Sequence, residues 1–128
     1  MVKIIDQLLP DVFYSRLSNI LDDEDRSFNW FWNNTTAGNV NGEPLDSNFM
    51  FTHLLYNKDK NIKSPYFETF FPIVYFLEGH IPINNLYRMK LNLYPNQGKK
   101  IMHAKHIDLT SEATKKPLEN CTITILNF

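Results

Sequence analysis

The chain has 128 residues, with 13 basic and 14 acidic side chains, a formal net charge of -1 and a single cysteine, Cys121. That length suits one domain, residues 1–128, with a modest core, and the balanced charge excludes the basic field that a dedicated nucleic-acid or acidic-lipid binder needs. One cysteine excludes an internal disulfide and fits a cytoplasmic protein, while ten Phe, six Tyr and two Trp exclude a disordered chain.

Val2, Ile4 and Ile5 open an apolar segment that ends at Leu8 and Leu9, and a short strand is predicted there. Asp6 and Pro10 interrupt it without a small-residue cleavage site, so it does not read as a secretion signal. From Pro10, a residue suited to a first helical turn, Phe13, Leu17, Ile20 and Leu21 recur at three- and four-residue spacing and predict an amphipathic helix. It should stop in a solvated turn at residues 22–25, where Asp22, Asp23, Glu24 and Asp25 oppose the helix dipole. Phe28, Trp30 and Trp32 alternate with Asn29 and Phe31, which predicts a strand with its large aromatics in the core. Residues 33–47 are rich in Asn and Gly and read as a loop, a candidate lid.

Phe49, Phe51, His53 and Leu55 alternate with Met50, Thr52, Leu54 and Tyr56 in a mostly buried strand. His53 within it reads as a hydrogen-bonded structural histidine rather than a ligand. Residues 58–63 form a charged connector, after which Ser64 and Pro65 cap and open a helix over 66–77. Phe67, Phe70, Phe71, Val74 and Leu77 give it an apolar face, and Pro72 should bend or divide it. Gly79 and Pro82 mark its exit, with His80 facing solvent. The longest apolar run, residues 70–77, is far too short to span a bilayer. The clearest strand covers 86–94, with Tyr87, Met89, Leu91 and Leu93 on one face and Arg88, Lys90, Asn92 and Tyr94 on the other. That polar face fits either an interior that binds a charged small molecule or an ordinary solvated surface. A Gly-containing turn at 95–100, a strand over 101–108, a polar loop over 109–120 and a final strand over 121–128 complete the reading.

Groups able to hold a metal crowd together in His103-Ala104-Lys105-His106-Ile107-Asp108. On a strand, His106 and Asp108 share a face, about 6 to 7 Å apart along the backbone. A mononuclear non-haem iron site needs two histidines and one carboxylate on one side of the metal, with the remaining positions open. This stretch supplies one of each. His103 falls on the opposite strand face unless a bulge intervenes, and is the poorer ligand candidate. Consecutive strands around a Gly turn are what an antiparallel barrel or jelly roll contains.

The order Leu91-Asn92-Leu93-Tyr94-Pro95, the Gly98 turn, His106-Ile107-Asp108 and then Cys121-Thr122-Ile123-Thr124-Ile125-Leu126-Asn127 resembles the iron and 2-oxoglutarate-dependent oxygenases of the prolyl 4-hydroxylase superfamily. The likeness is to small members encoded by marine phages and bacteria, in which a short strand also leads through a Leu-Pro step into a helix and a Trp-rich strand. It covers most of the chain. The resemblance implies an α+β fold, with N-terminal helices packed on a partial double-stranded β-helix, the cupin-like jelly roll. It implies Fe(II), 2-oxoglutarate as co-substrate and ascorbate as an optional further cofactor. By similarity His106 and Asp108 are two of the three iron ligands. Tyr94, with Asn92 from the same strand, contacts 2-oxoglutarate, and His103 stands where the hydroxylases carry a pocket tyrosine. Ile125 replaces the tyrosine of the family's Tyr-Leu-Asn segment.

The family's distal histidine, and the Arg or Lys that pairs with the far carboxylate of 2-oxoglutarate, belong to later strands, and His53 and His80 are not natural replacements. The expectation is therefore a truncated, split or frame-disrupted oxygenase, with a separately encoded C-terminal part as one partner. The implied activity is hydroxylation of a protein side chain or a small molecule. A second expectation, from a different class, is a non-catalytic jelly-roll module that pairs with another chain, or with itself, through an exposed strand edge.

Overall fold

The computed structural model describes residues 3–22, 27–34, 49–98 and 122–126. Helix α1, Asp11–Leu21, forms where the apolar spacing calls for it. Pro10 takes φ -58 ahead of it and its carbonyl accepts the Tyr14 N–H at 2.9 Å, so the ring that lacks a donor costs the first turn nothing. Leu17 is fully buried and Phe13 meets Phe76 with ring centroids 5.7 Å apart. The helix closes with Asp22 N–H donating to Ser18 O. The acidic run beyond Asp22 lies outside the described residues.

Four strands follow: β1 Phe31–Asn33, β2 Met50–Asn57, β3 Ile62–Lys63 and β4 Arg88–Leu93. In the sheet β2 lies between β1 and β3, and β4 also pairs with β2. β2 and β3 are antiparallel, with Tyr56 opposite Lys63 and Asn57 opposite Ile62. The charged connector is thus the turn of a hairpin. Asn57 Oδ1 accepts the Lys60 N–H at 2.9 Å and Asn61 adopts φ 50, a left-handed conformation that asparagine tolerates.

The predicted helix over 66–77 is divided at Pro72 into α2, Phe67–Phe70, and α3, Pro72–Glu78. Pro72 opens α3 because it has no N–H to give to the preceding turn. Ser64 ties the start of α2 down: its carbonyl accepts Phe67 N–H at 3.0 Å and its hydroxyl accepts Tyr66 N–H at 3.2 Å.

The chain divides into two compact units, Met1–Phe31 with Thr52–Asn92, and Trp32–Phe51 with Leu93–Phe128. The core of the first is Leu9, Leu17, Phe28, Leu55, Phe67, Phe70, Ile73, Val74 and Leu77. In the second, Trp32 stacks on Phe49 at 4.6 Å and meets Phe51 edge-on at 5.6 Å.

Three strand expectations need correction. Residues 3–9 form no strand; a turn at Asp6 and Gln7, with Gln7 at φ 51, breaks the extended run, and Ile4 is 83% exposed. Lys3 instead reaches the His80 carbonyl through its ammonium group. The aromatic strand begins at Phe31, and Phe28 lies in the core ahead of it, its ring 5.1 Å from Trp30. Residues 122–126 take no regular secondary structure, and Ile125 is 78% exposed. Alternation specifies which face a strand would bury, but a strand also needs a neighbour to accept its backbone bonds. Helices beside an antiparallel sheet place the chain in the α+β class. No helix among the described residues is long and apolar enough to cross a membrane.

Candidate metal and co-substrate site

The metal candidates His106 and Asp108, and the pocket candidate His103, lie outside the described residues. The approach to them is described. β4 ends at Leu93 with Asn92 exposed on it, and Tyr94 follows immediately, 53% exposed. The turn after Pro95 is organised by Asn96, whose Oδ1 accepts the Gly98 N–H at 2.9 Å, and Gly98 takes φ 70, where a side chain would be strained.

His53 is the buried polar residue of the core, at 5% exposure. Its Nδ1 lies 2.6 Å from the Asn29 carbonyl and its Nε2 lies 2.7 Å from Ser64 Oγ. A carbonyl can only accept, so Nδ1 carries the proton; in the neutral ring Nε2 then accepts the Ser64 hydroxyl proton. Phe28 lies against the ring at 4.6 Å, with Tyr66 and Phe31 at 5.7 and 5.8 Å. Both nitrogens are engaged, which removes His53 from any ligand set and bears out the structural reading. Its partners were only half visible in the sequence. Ser64 was expected as the cap of the helix, but the cap of α2 is Tyr66 and Ser64 sits one turn ahead of the helix, and the Asn29 acceptor is a backbone group that any residue would supply.

His80 is exposed in the turn after α3, as expected. Among the described residues no group of three or more His, Cys, Asp or Glu side chains could hold a metal ion. An open cleft of about 830 Å³ runs along α1, lined by Asp11, Arg16 and Asn19 on the helix and by Ser27 and Tyr66 opposite. Neither Asn92 nor Tyr94 lines it.

No family model, curated protein or solved structure matches this chain. Its function therefore has to be argued from its own residues.

The described basic residues fall into two groups. Lys3, Arg16, Lys58, Lys60 and Lys63 are exposed, whereas Arg88 and Lys90 on β4 are half-buried. Met89 and Leu91 on the other face of β4 are half-buried as well, and Asn92 is exposed.

Proposed function

We propose that the chain is the N-terminal part of an Fe(II)- and 2-oxoglutarate-dependent dioxygenase built on a partial jelly roll. His106 and Asp108 serve as metal ligands, and Tyr94, Asn92 and His103 line the co-substrate pocket. The observation that carries this reading is the order of elements. A strand with a partly covered polar face, β4, runs through Tyr94-Pro95 and the Gly98 turn towards His106-Ile107-Asp108. The saturation of His53 adds to it, because no competing imidazole is left in the described core.

An imidazole nitrogen and a carboxylate oxygen are a donor pair suited to Fe(II), and bound iron would supply oxygen activation at its open positions. The residues of the chain bind and orient. Tyr94 O–H and the Asn92 amide are donors for a co-substrate carboxylate, and neutral His106 offers a lone pair only while its other nitrogen keeps the proton. In the overall reaction one oxygen atom enters a substrate C–H bond and the other enters succinate, with carbon dioxide leaving from C1 of 2-oxoglutarate. Anaerobic titration of the full chain with Fe(II) tests the proposal, because His106 and Asp108 supply two of the three ligands. Binding by the parent chain that is lost in His106→Ala is the expected outcome; a parent chain that binds no Fe(II) overturns it.

A second reading, a non-catalytic module that pairs through a strand edge, is favoured by β1. This three-residue strand has β2 as its strand partner among the described residues, and it carries Phe31 and Trp32 at 59% and 60% exposure. Sedimentation velocity separates the two: concentration-dependent self-association lost in Trp32→Ser, without Fe(II) binding, favours the module.

A further inference from the structure

Ser64, His53 and Asn29 stand in the order that activates a serine hydroxyl: nucleophile, base, and the group that orients the base. Nδ1 of His53 donates to the Asn29 carbonyl at 2.6 Å, which fixes the tautomer, and the lone pair on Nε2 meets Ser64 Oγ at 2.7 Å. A hydroxyl oxygen has two lone pairs. The Tyr66 N–H takes one at 3.2 Å, and the other remains for attack on an electrophile. His53 is 5% exposed and held on β2, whereas Ser64, just past β3, is half-buried between exposed Lys63 and Pro65. The base is thus fixed, and the oxygen beside it is within reach of solvent. The Ser64 N–H donates to the Leu55 carbonyl at 2.8 Å, so the serine backbone is tied to the strand that carries the histidine. Phe31, 59% exposed with its ring 5.8 Å from the imidazole, adds an apolar surface beside the pair. All of these residues belong to the first compact unit.

We propose that Ser64 is a nucleophile that His53 activates for acyl transfer, with aryl esters of small carboxylic acids as the substrate class. The site goes beyond the dioxygenase reading and uses none of its residues. Ser64 Oγ bonds to the ester carbonyl carbon while its proton passes to His53 Nε2; the ester C–O bond then breaks and the leaving phenol oxygen takes that proton. Water attacks the acyl carbon next and gives a proton to Nε2, and the acyl–Oγ bond breaks as that proton returns to Oγ. Ester and water become acid and phenol, with nothing oxidised or reduced. The Asn29 carbonyl is a positioning group that holds the ring and steadies its positive charge while it carries the second proton. As a neutral dipole it does this less strongly than a carboxylate would, which limits the site to esters whose leaving group is already stable, and an aryl ester is one.

Phenylmethanesulfonyl fluoride tests the nucleophile on the metal-free full chain, because attack by Oγ displaces fluoride and leaves a sulfonyl ester that peptide mapping by mass spectrometry locates. Ser64 is expected to react about a hundredfold faster in the folded chain than in the same chain unfolded in urea, the lower end of what a positioned base contributes. Unfolding exposes Ser64 further, so a faster reaction in the folded state reports activation and not access. This comparison needs no variant, which keeps the proposal testable should His53→Gln lose its cooperative melt. In a folded His53→Gln the rate at Ser64 should fall by a similar factor. p-Nitrophenyl acetate then tests turnover: an acetyl group on Ser64 and nitrophenolate release that is lost in Ser64→Ala are expected. No sulfonyl group on Ser64, an equal rate in urea, or the parent rate in a folded His53→Gln overturns the proposal. Nitrophenolate release that is absent in the parent, or that persists in Ser64→Ala, overturns its acyl-transfer step.

Discussion

Replacing His53 by alanine tests the packing of the first unit where its polar and aromatic contacts meet. The substitution removes two hydrogen bonds, to Asn29 O at 2.6 Å and Ser64 Oγ at 2.7 Å, from a residue that is 5% exposed. Each such bond contributes about 1 kcal/mol net, and the hydroxyl and carbonyl left behind carry a further desolvation cost. The ring also leaves Phe28, Tyr66 and Phe31, and the void between three aromatics adds roughly 1 kcal/mol or more. The sum is about 3 to 4 kcal/mol, a large part of the stability of a domain this size. Urea unfolding followed by tryptophan fluorescence, with Trp30 beside Phe28 as reporter, measures it. Ser64→Ala should cost about 1 to 2 kcal/mol, since it removes the His53 partner and the hydroxyl that accepts Tyr66 N–H. The double variant should lose less than the sum of the two, by roughly 1 kcal/mol. A loss below about 1 kcal/mol for His53→Ala, or strict additivity with Ser64→Ala, would refute the idea that His53 bridges the segment before β1, β2 and the start of α2.

Phe70→Ala, at a fully buried ring, should cost about 3 to 5 kcal/mol, whereas Val12→Ala, at 85% exposure, should stay within about 0.5 kcal/mol by the same unfolding assay. Gly98→Ala is expected to lose about 1 kcal/mol, because φ 70 strains a side chain although nothing within 4 Å would clash with it; Gly98→Asn should lose less. Glu68→Gln breaks an ion pair between two exposed side chains and should change the unfolding free energy by no more than about 0.5 kcal/mol in the same assay.

What could be read in the sequence divides by the range of the interactions involved. α1 and the division at Pro72 were legible, since helical spacing and a missing backbone donor act within a few residues. β2 was legible too: it pairs with the other three strands, and His53 and Leu55 are buried as the alternation expects, although at its start Met50 and not Phe51 is the buried residue. The failures were all strands at the margins. Residues 3–9 alternate well enough, yet Gln7 turns the chain, and Ile123 and Ile125 stand exposed with no strand around them. Local alternation does not encode the strand pairing that such a run would also need. The candidate site was legible in a different sense. His53 could be set aside from its place on a buried strand, and its bonds to Asn29 and Ser64 bear that out. Asn92 and Tyr94 lie at the exposed end of β4, and Arg88, Met89, Lys90 and Leu91 ahead of them are all half-buried. His103, His106 and Asp108 lie outside the described residues, so their assignment rests on their order along the chain.

The most direct test of the proposed metal centre is anaerobic equilibrium dialysis of the full chain against Fe(II), with metal content measured for the parent, His106→Ala, Asp108→Ala and His53→Gln. The expected result is equimolar iron in the parent and in His53→Gln, and loss of iron in the other two. Iron that stays bound without His106 and Asp108, or a parent chain that takes up none, contradicts it.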